Sequence, residues 1–146
     1  MATLNCGSNV SCITVGNVDG VRVSGVMFQA DWGNPESLLQ WGVRDQGANK
    51  NESYAGNSQN PGVMHDIFTR VGGNNNVTLY NATAQYMTLV NSGNVIIDNT
   101  WLWRADHSVD GLVMDGENAV EAGLVVYGDN VIAYGLAVEH TLGNMM

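Results

Sequence analysis

Positive charge is nearly missing from this chain. Five Lys and Arg stand against fourteen Asp and Glu, for a net charge of −9. A nucleic-acid partner is excluded on that ground, because its phosphates demand a basic surface. Attraction to an anionic membrane surface is excluded likewise. No apolar run is long enough to span a bilayer. No basic-then-apolar signal segment opens the chain. The two cysteines, Cys6 and Cys12, are too few for a disulfide framework. They read equally as one bond formed in an oxidising compartment, or as two free thiols with one packed in a core. No run of a dozen residues has helical character. No His/Cys/Asp cluster has metal-ligand spacing, no Gly-rich phosphate loop precedes a helix, and no Gly-x-Ser-x-Gly elbow is present. We therefore expect neither a metal ion nor an organic cofactor.

What the chain has instead is corners and short apolar runs. Apolar residues make up 45% of its 146 residues, enough for one domain with a core, and Gly and Asn number 18 each. Residues 87–104 set the pattern: a short buried run, a turn, then two alternating runs divided by a second turn. Val95, Ile97, Thr100 and Leu102 face one way. Ile96, Asp98, Trp101 and Trp103 face the other, because side chains alternate along a strand. The arrangement recurs. Residues 13–17 lead into 21–28, 68–72 into 77–82, 87–91 into 95–102, and 123–127 into 131–138. The matched residues Val21, Val77, Val95 and Val131 are separated by 56, 18 and 36 positions, near multiples of about 18 interrupted by insertions. Gly25, Asn81, Asn99 and Gly135 fall at the corners, where a left-handed backbone is needed. The expected fold is all-β: a single-stranded, right-handed parallel β-helix of about four incomplete rungs. An antiparallel sandwich is the alternative, and Asp19-Gly20 would suit one of its hairpins.

In this register Val21, Val23, Val26, Phe28, Val95, Ile97, Leu102, Val131, Ala133, Leu136 and Val138 point inward. Residues 1–11 form a partial rung. Residues 38–42 read as a short inserted strand within an insertion spanning residues 31–62. The polar part of that insertion, 43–62, is expected to be an exposed loop and the least ordered interior segment. A second insertion covers 107–121. The whole chain, 1–146, reads as one β-helix segment. Neither end carries the polar cap that solenoids need. The chain is thus expected to be a slice of a longer solenoid, stacked on the remainder of that chain or end to end on another copy. Sequons at Asn9, Asn51, Asn76 and Asn81 are weak support for secretion in a chain so rich in Asn.

Three pieces, in order, carry a family likeness. The first is Pro61-Gly62-Val63-Met64-His65-Asp66 with Arg70-Val71-Gly72-Gly73. The second is Trp101-Leu102-Trp103-Arg104-Ala105-Asp106-His107. The third is Val126-Tyr127-Gly128-Asp129-Asn130, followed by Val138-Glu139-His140. Together they resemble the glycoside hydrolase family 55 proteins, the exo-β-1,3-glucanase or laminarinase group with a pectin-lyase-like β-helix. The resemblance implies a secreted parent enzyme that releases sugars from β-1,3-glucan ends with inversion, so a β-glucan polysaccharide is the implied partner. In that family two tandem β-helices flank the cleft, and this chain resembles part of the second. The family's helper acid matches Glu139. Its general acid falls roughly one rung beyond Met146, so the resemblance implies a catalytically incomplete segment that does not hydrolyse glucan alone.

The repeat register gives an independent check on Glu139. It aligns with Trp103 and, further back, with Gln29, so these three share an outward column. Met27, Trp101 and Ala137 form the next column. Stacked rungs lie about 4.8 Å apart. A carboxylate beside an indole suits a sugar, whose ring face packs on the aromatic while polar groups bind its hydroxyls. The candidate site is therefore Glu139 as the catalytic carboxylate, with Trp103, Gln29, Trp101, His140 and Asp106 binding substrate. Plainer readings stand beside these. Glu139 serves as a solvated surface acid, the tryptophans pack under the 107–121 insertion, Asp106 bonds backbone amides at a strand end, and Arg104 pairs with a carboxylate. Two other classes stay open: a carbohydrate-binding solenoid without catalysis, and a structural β-helix as in adhesins or phage tail spikes. An exposed Trp/Glu column separates the sugar-handling classes from the structural one, which would bury its tryptophans.

Overall fold

Alternating β-branched and apolar residues favour strands, and Gly7, Gly16, Gly42, Gly72 and Asn91 end several of them. The computed structural model describes residues 1–7, 9–44, 52–74, 82–109, 111–114 and 116–146. The described residues form eleven strands: β1 (Ala2–Cys6), β2 (Ile13–Val15), β3 (Arg22–Ala30), β4 (Ser37–Trp41), β5 (Gly62–Val71), β6 (Ala84–Val90), β7 (Val95–Arg104), β8 (His107–Ser108), β9 (Gly111–Leu112), β10 (Val120–Val126) and β11 (Ile132–Glu139). A long sheet has the order β1-β3-β5-β7-β11 and a short sheet the order β10-β6-β4-β2. Every pair in both sheets is parallel. The chain is a parallel β-helix. The antiparallel sandwich is excluded, since β11 runs parallel to β7. The β8–β9 hairpin is antiparallel and belongs to the second insertion. Among the described residues no helix is long and apolar enough to cross a membrane.

Strands of the long sheet bend midway. Gly25, Asp66, Asn99 and Gly135 occupy the bend, each with a positive φ between 49° and 66°. They stack one above another, because the residues on either side pair in register. Gly and Asn accept this left-handed backbone at least cost. The Asn99 side-chain amide donates to the Asp66 carboxylate in the neighbouring rung. Three of the four expected corners are here. The fourth, Asn81, lies outside the described residues, as do residues 77–80, the loop residues 45–51 and the sequons at Asn51 and Asn76.

Two expectations need correction. The copy of the long strand that pairs between β3 and β7 is β5, residues 62–71; the expected run beginning at Val77 falls in residues 77–81, outside those described. Residues 68–71 are the outgoing half of that long strand rather than a separate short run, and Gly72 follows it. Residues 37–41 are not an insertion either. They form β4, paired with β2 on one side and β6 on the other. Leu38 and Leu39 there are fully buried, which fixes the strand in the core, since burying each such side chain is worth about 1.5–3 kcal/mol.

The core fills the space between the sheets. Phe28, Met64, Ile67, Ile97 and Leu102 come from the long sheet, and Leu38, Leu39, Trp41, Met87, Val90 and Leu124 from the short one. Val21, Val23, Val26, Val131, Leu136 and Val138 pack against it, partly buried. Ala133 stands in the inward column of Ile97 and Met64 but is exposed, because among the described residues no further strand pairs with β11. Cys6 and Cys12 form a disulfide joining the end of β1 to the segment before β2.

Candidate functional site

Beyond the corner, the outward residues of β5, β7 and β11 form two adjacent columns. One runs Met27, Phe68, Trp101, Ala137; the other runs Gln29, Arg70, Trp103, Glu139. Stacking brings four rings together. Phe68 and Trp101 are stacked 4.7 Å apart with their planes nearly parallel, Trp101 and Trp103 lie 6.0 Å apart, and Trp103 and the His107 ring 5.0 Å apart. Stacked aromatic pairs add about 0.5–1.5 kcal/mol each beyond area burial. Trp103 is 9% exposed and Trp101 is 43% exposed. Trp103 therefore does pack against the second insertion, through His107, whereas Trp101 presents its surface to solvent. An open groove of about 540 Å³ runs beside it, lined by Asp66, Ile67, Phe68, Asn99 and Trp101 among others.

Two acids flank this platform. Glu139 accepts a hydrogen bond from the Trp101 indole nitrogen at 3.0 Å. That bond orients both groups across the β7–β11 boundary. Asp106 follows the end of β7. Its Oδ1 lies 2.9 Å from His107 Nδ1 and its Oδ2 lies 3.6 Å from His140 Nε2. Burial pushes the Asp106 carboxyl up. The hydrogen bond with His107, a backbone bond and the charges of His140 and His107 outweigh it and hold the carboxyl below its ordinary 3.8. Asp106 is thus ionised at neutral pH. Trp101, Trp103, Glu139, His140 and Asp106 gather on one face.

Gln29 stands in the expected column but beneath the surface. It is fully buried, and its amide nitrogen donates to the carbonyls of Ala30 (3.1 Å) and Gly72 (2.7 Å). Its oxygen accepts from Arg70 Nε. Arg70 Nη2 donates to Asn74 Oδ1 at 2.7 Å. Burial lowers the Arg70 guanidinium from its ordinary value, against the opposing pull of Asp31. Burial likewise raises the Asp31 carboxyl, against Arg70, Gln29 and Asn74. Gln29 therefore underpins the platform through Arg70. Arg104 is buried and donates to backbone carbonyls of the insertion: Nε and Nη2 to Glu117 O (3.1 and 2.6 Å), and Nη2 to Met114 O (2.9 Å). It fastens the segment that carries His107. On the other side of the corner, His65 lies 2.8 Å from Asp98 and 3.1 Å from Asp66.

Phe68 and Arg70 are platform residues that the sequence reading missed. The signal for them was there. Residues 63–71 match 96–104 position by position, with Asp66 opposite the Asn99 corner. Among the described residues no three His, Cys, Asp or Glu side chains converge to hold a metal ion.

Residues 1–145 match the family model of the LAM55 pectate lyase-like domain. An exo-β-1,3-glucanase of Streptomyces sp. (strain SirexAA-E / ActE) is 38% identical over 140 residues, covering 96% of this chain and 21% of the relative. Two solved structures of sacteLam55A from Streptomyces sp. SirexAA-E, one of them a variant in complex with glucose, superpose with a TM-score of 0.77. They are 37% and 36% identical, and cover 96% of this chain and 23% of theirs. The chain thus spans less than a quarter of the length of the relatives it matches.

Proposed function

The chain belongs to the LAM55 pectate lyase-like family, and from that premise we propose that it supplies one wall of a β-1,3-glucan-binding cleft in an inverting glycoside hydrolase. One observation carries this: an exposed indole hydrogen-bonded to a carboxylate on a stacked aromatic platform. A sugar ring lays its C–H face on Trp101, and its hydroxyls meet Glu139, Asp106 and His140 at the rim. Glu139 is the catalytic carboxylate, holding water or a hydroxyl at the reacting carbon. Trp103 continues the platform, and Gln29 holds Arg70 beneath it. The exposure of Trp101 favours sugar handling over a purely structural β-helix. The Cys6–Cys12 bond favours an oxidising, extracellular setting.

Inverting hydrolysis needs two carboxyl groups roughly 6.5–9.5 Å apart, one of them protonated. Asp106, the other acid at the platform, is held towards its ionised form by His107 and His140, which disfavours it as the proton donor. Losing general acid catalysis typically costs about 10²–10⁴ in rate. The chain by itself therefore binds glucan without turning it over, and the proton donor comes from another part of the parent protein. Tryptophan fluorescence during titration with a soluble β-1,3-gluco-oligosaccharide tests the binding. Reducing-sugar release by the chain, by Glu139→Gln and by a version extended by two rungs tests the rest. We expect a saturable fluorescence change, release by the extended version and none by the chain. An unchanged spectrum sinks the sugar reading. Turnover by the chain that Glu139→Gln abolishes sinks the incomplete-site reading.

A further inference from the structure

Aromatic and polar groups meet a second time, on the outer face of the short sheet. Gln40 of β4 and Leu89 of β6 pair in one column there. They alternate with Leu39, Trp41 and Val90, whose side chains fill the core. The two outward residues line a cleft of about 380 Å³, together with Arg44, Tyr86, Asn91 and Tyr127. The core separates this cleft from the platform on the long sheet.

Its polar groups are held in place. Ser11 donates to Gln40 Oε1 at 2.8 Å, and Gln40 Nε2 donates to the Gly42 carbonyl at 3.0 Å. The Arg44 guanidinium lies over the half-exposed Tyr127 ring, 4.2 Å from its centre. Asn91 is 2% exposed, and its Nδ2 donates to the Gly42 carbonyl at 3.1 Å. Its Oδ1 accepts from no described residue. A buried acceptor of this kind calls for a donor. Burial, with Glu121, Tyr127 and Glu36 nearby, raises the Tyr86 hydroxyl from its ordinary value, so it stays protonated and available to donate.

We infer that this cleft is a second carbohydrate-binding site, which holds a gluco-oligosaccharide through fixed amides, a phenol donor and tyrosine contact. Convergent, pre-oriented polar groups beside tyrosine rings and a small aliphatic contact at Leu89 are what a neutral polyhydroxyl ligand requires. A net charge of −9 and the neighbouring Glu36 oppose an anionic ligand. The choice of a glucan as that ligand rests on the function proposed above. The cleft would keep the polymer on the molecule while the platform handles its end.

The test is a side-chain map of binding. A ¹⁵N-labelled sample of the full chain is titrated with a soluble β-1,3-gluco-oligosaccharide, and amide and indole signals are followed. The Gln40 and Asn91 side-chain amides are expected to shift saturably, and to do so equally in Trp101→Ala. Tyr127→Ala should weaken that response by about three- to tenfold, the effect of one lost aromatic contact. Shifts confined to the Trp101 and Trp103 indoles overturn the second site and leave the platform standing. Shifts at Gln40 and Asn91 alone support the second site and overturn the platform. No shift at either overturns both. If neither variant folds, the wild-type map decides among these outcomes.

Discussion

Asp106 and Arg70 lie close to the same aromatic surface in opposite electrostatic circumstances. The Asp106 carboxyl is held below its ordinary 3.8, chiefly by the His107 hydrogen bond once burial is overcome. The resulting stabilisation is present above that ordinary value and is lost as pH falls through the lower folded value. With the side chain 38% exposed, solvent screening keeps it small. Asp106→Asn should lower Tm at neutral pH, and the gap from wild type should close as pH falls below the ordinary 3.8 and through the lower folded value. Arg70 is the cation beside a buried amide and a buried acid. Arg70→Ala should cost about 1.5–3 kcal/mol in urea unfolding, the range for hydrogen bonds to charged groups. Its effect on glucan binding should be smaller than that of Trp101→Ala. The outward positions of Trp101, Trp103 and Glu139 were legible in the sequence, because alternation on one strand is enough to place them. The burial of Gln29 was not legible. It depends on Gly72, 43 residues away, which no local pattern reveals.

At the scale of the strand, the corner column and the short leg are the instructive parts. Asn99 holds a φ of 49° and donates to Asp66. Asn99→Ala should cost about 1–2 kcal/mol for its left-handed backbone, and Asn99→Gly should restore most of that in the same unfolding assay. Leu38 is a sharper test of β4. If residues 37–41 belonged to a surface insertion, Leu38→Ala would be nearly silent; as a core residue it should cost about 2.7–5 kcal/mol. The β7–β11 register was readable because the two strands carry matching apolar positions and matching corners. The β5 register was misread for a physical reason. Inward and outward residues alternate with period two on long and short legs alike, so a single strand does not announce which leg it is. The Gly-rich residues after Val71 looked like the turn that follows a short leg. The corner at Asp66, neither Gly nor Asn, hid the bend of the long one.

For the molecule as a whole, contacts follow the stack and ignore distance along the chain. In register, Gln29 and Arg70 are 41 residues apart, Phe68 and Trp101 33, and Trp103 and Glu139 36. The steps differ because extra residues leave at the turns, while the strands keep their pairing. The β-helix outline was legible from the recurring corners; the uneven steps were not, since a turn of any length closes the same ladder. Phe68 and Trp101 are therefore nearer in energy than Trp101 and Leu102, which point to opposite faces. A double-mutant cycle on Phe68→Ala and Trp101→Ala should return a coupling of about 0.5–1.5 kcal/mol. The cycle on Trp101→Ala and Leu102→Ala should be additive within about 0.5 kcal/mol. Such a column has an evolutionary consequence. A substitution at one rung changes which residues are tolerated at the same height of the next, so epistasis in this chain should run in stripes about a rung apart. Insertions at turns away from the platform should weigh less on selection than substitutions within a stripe.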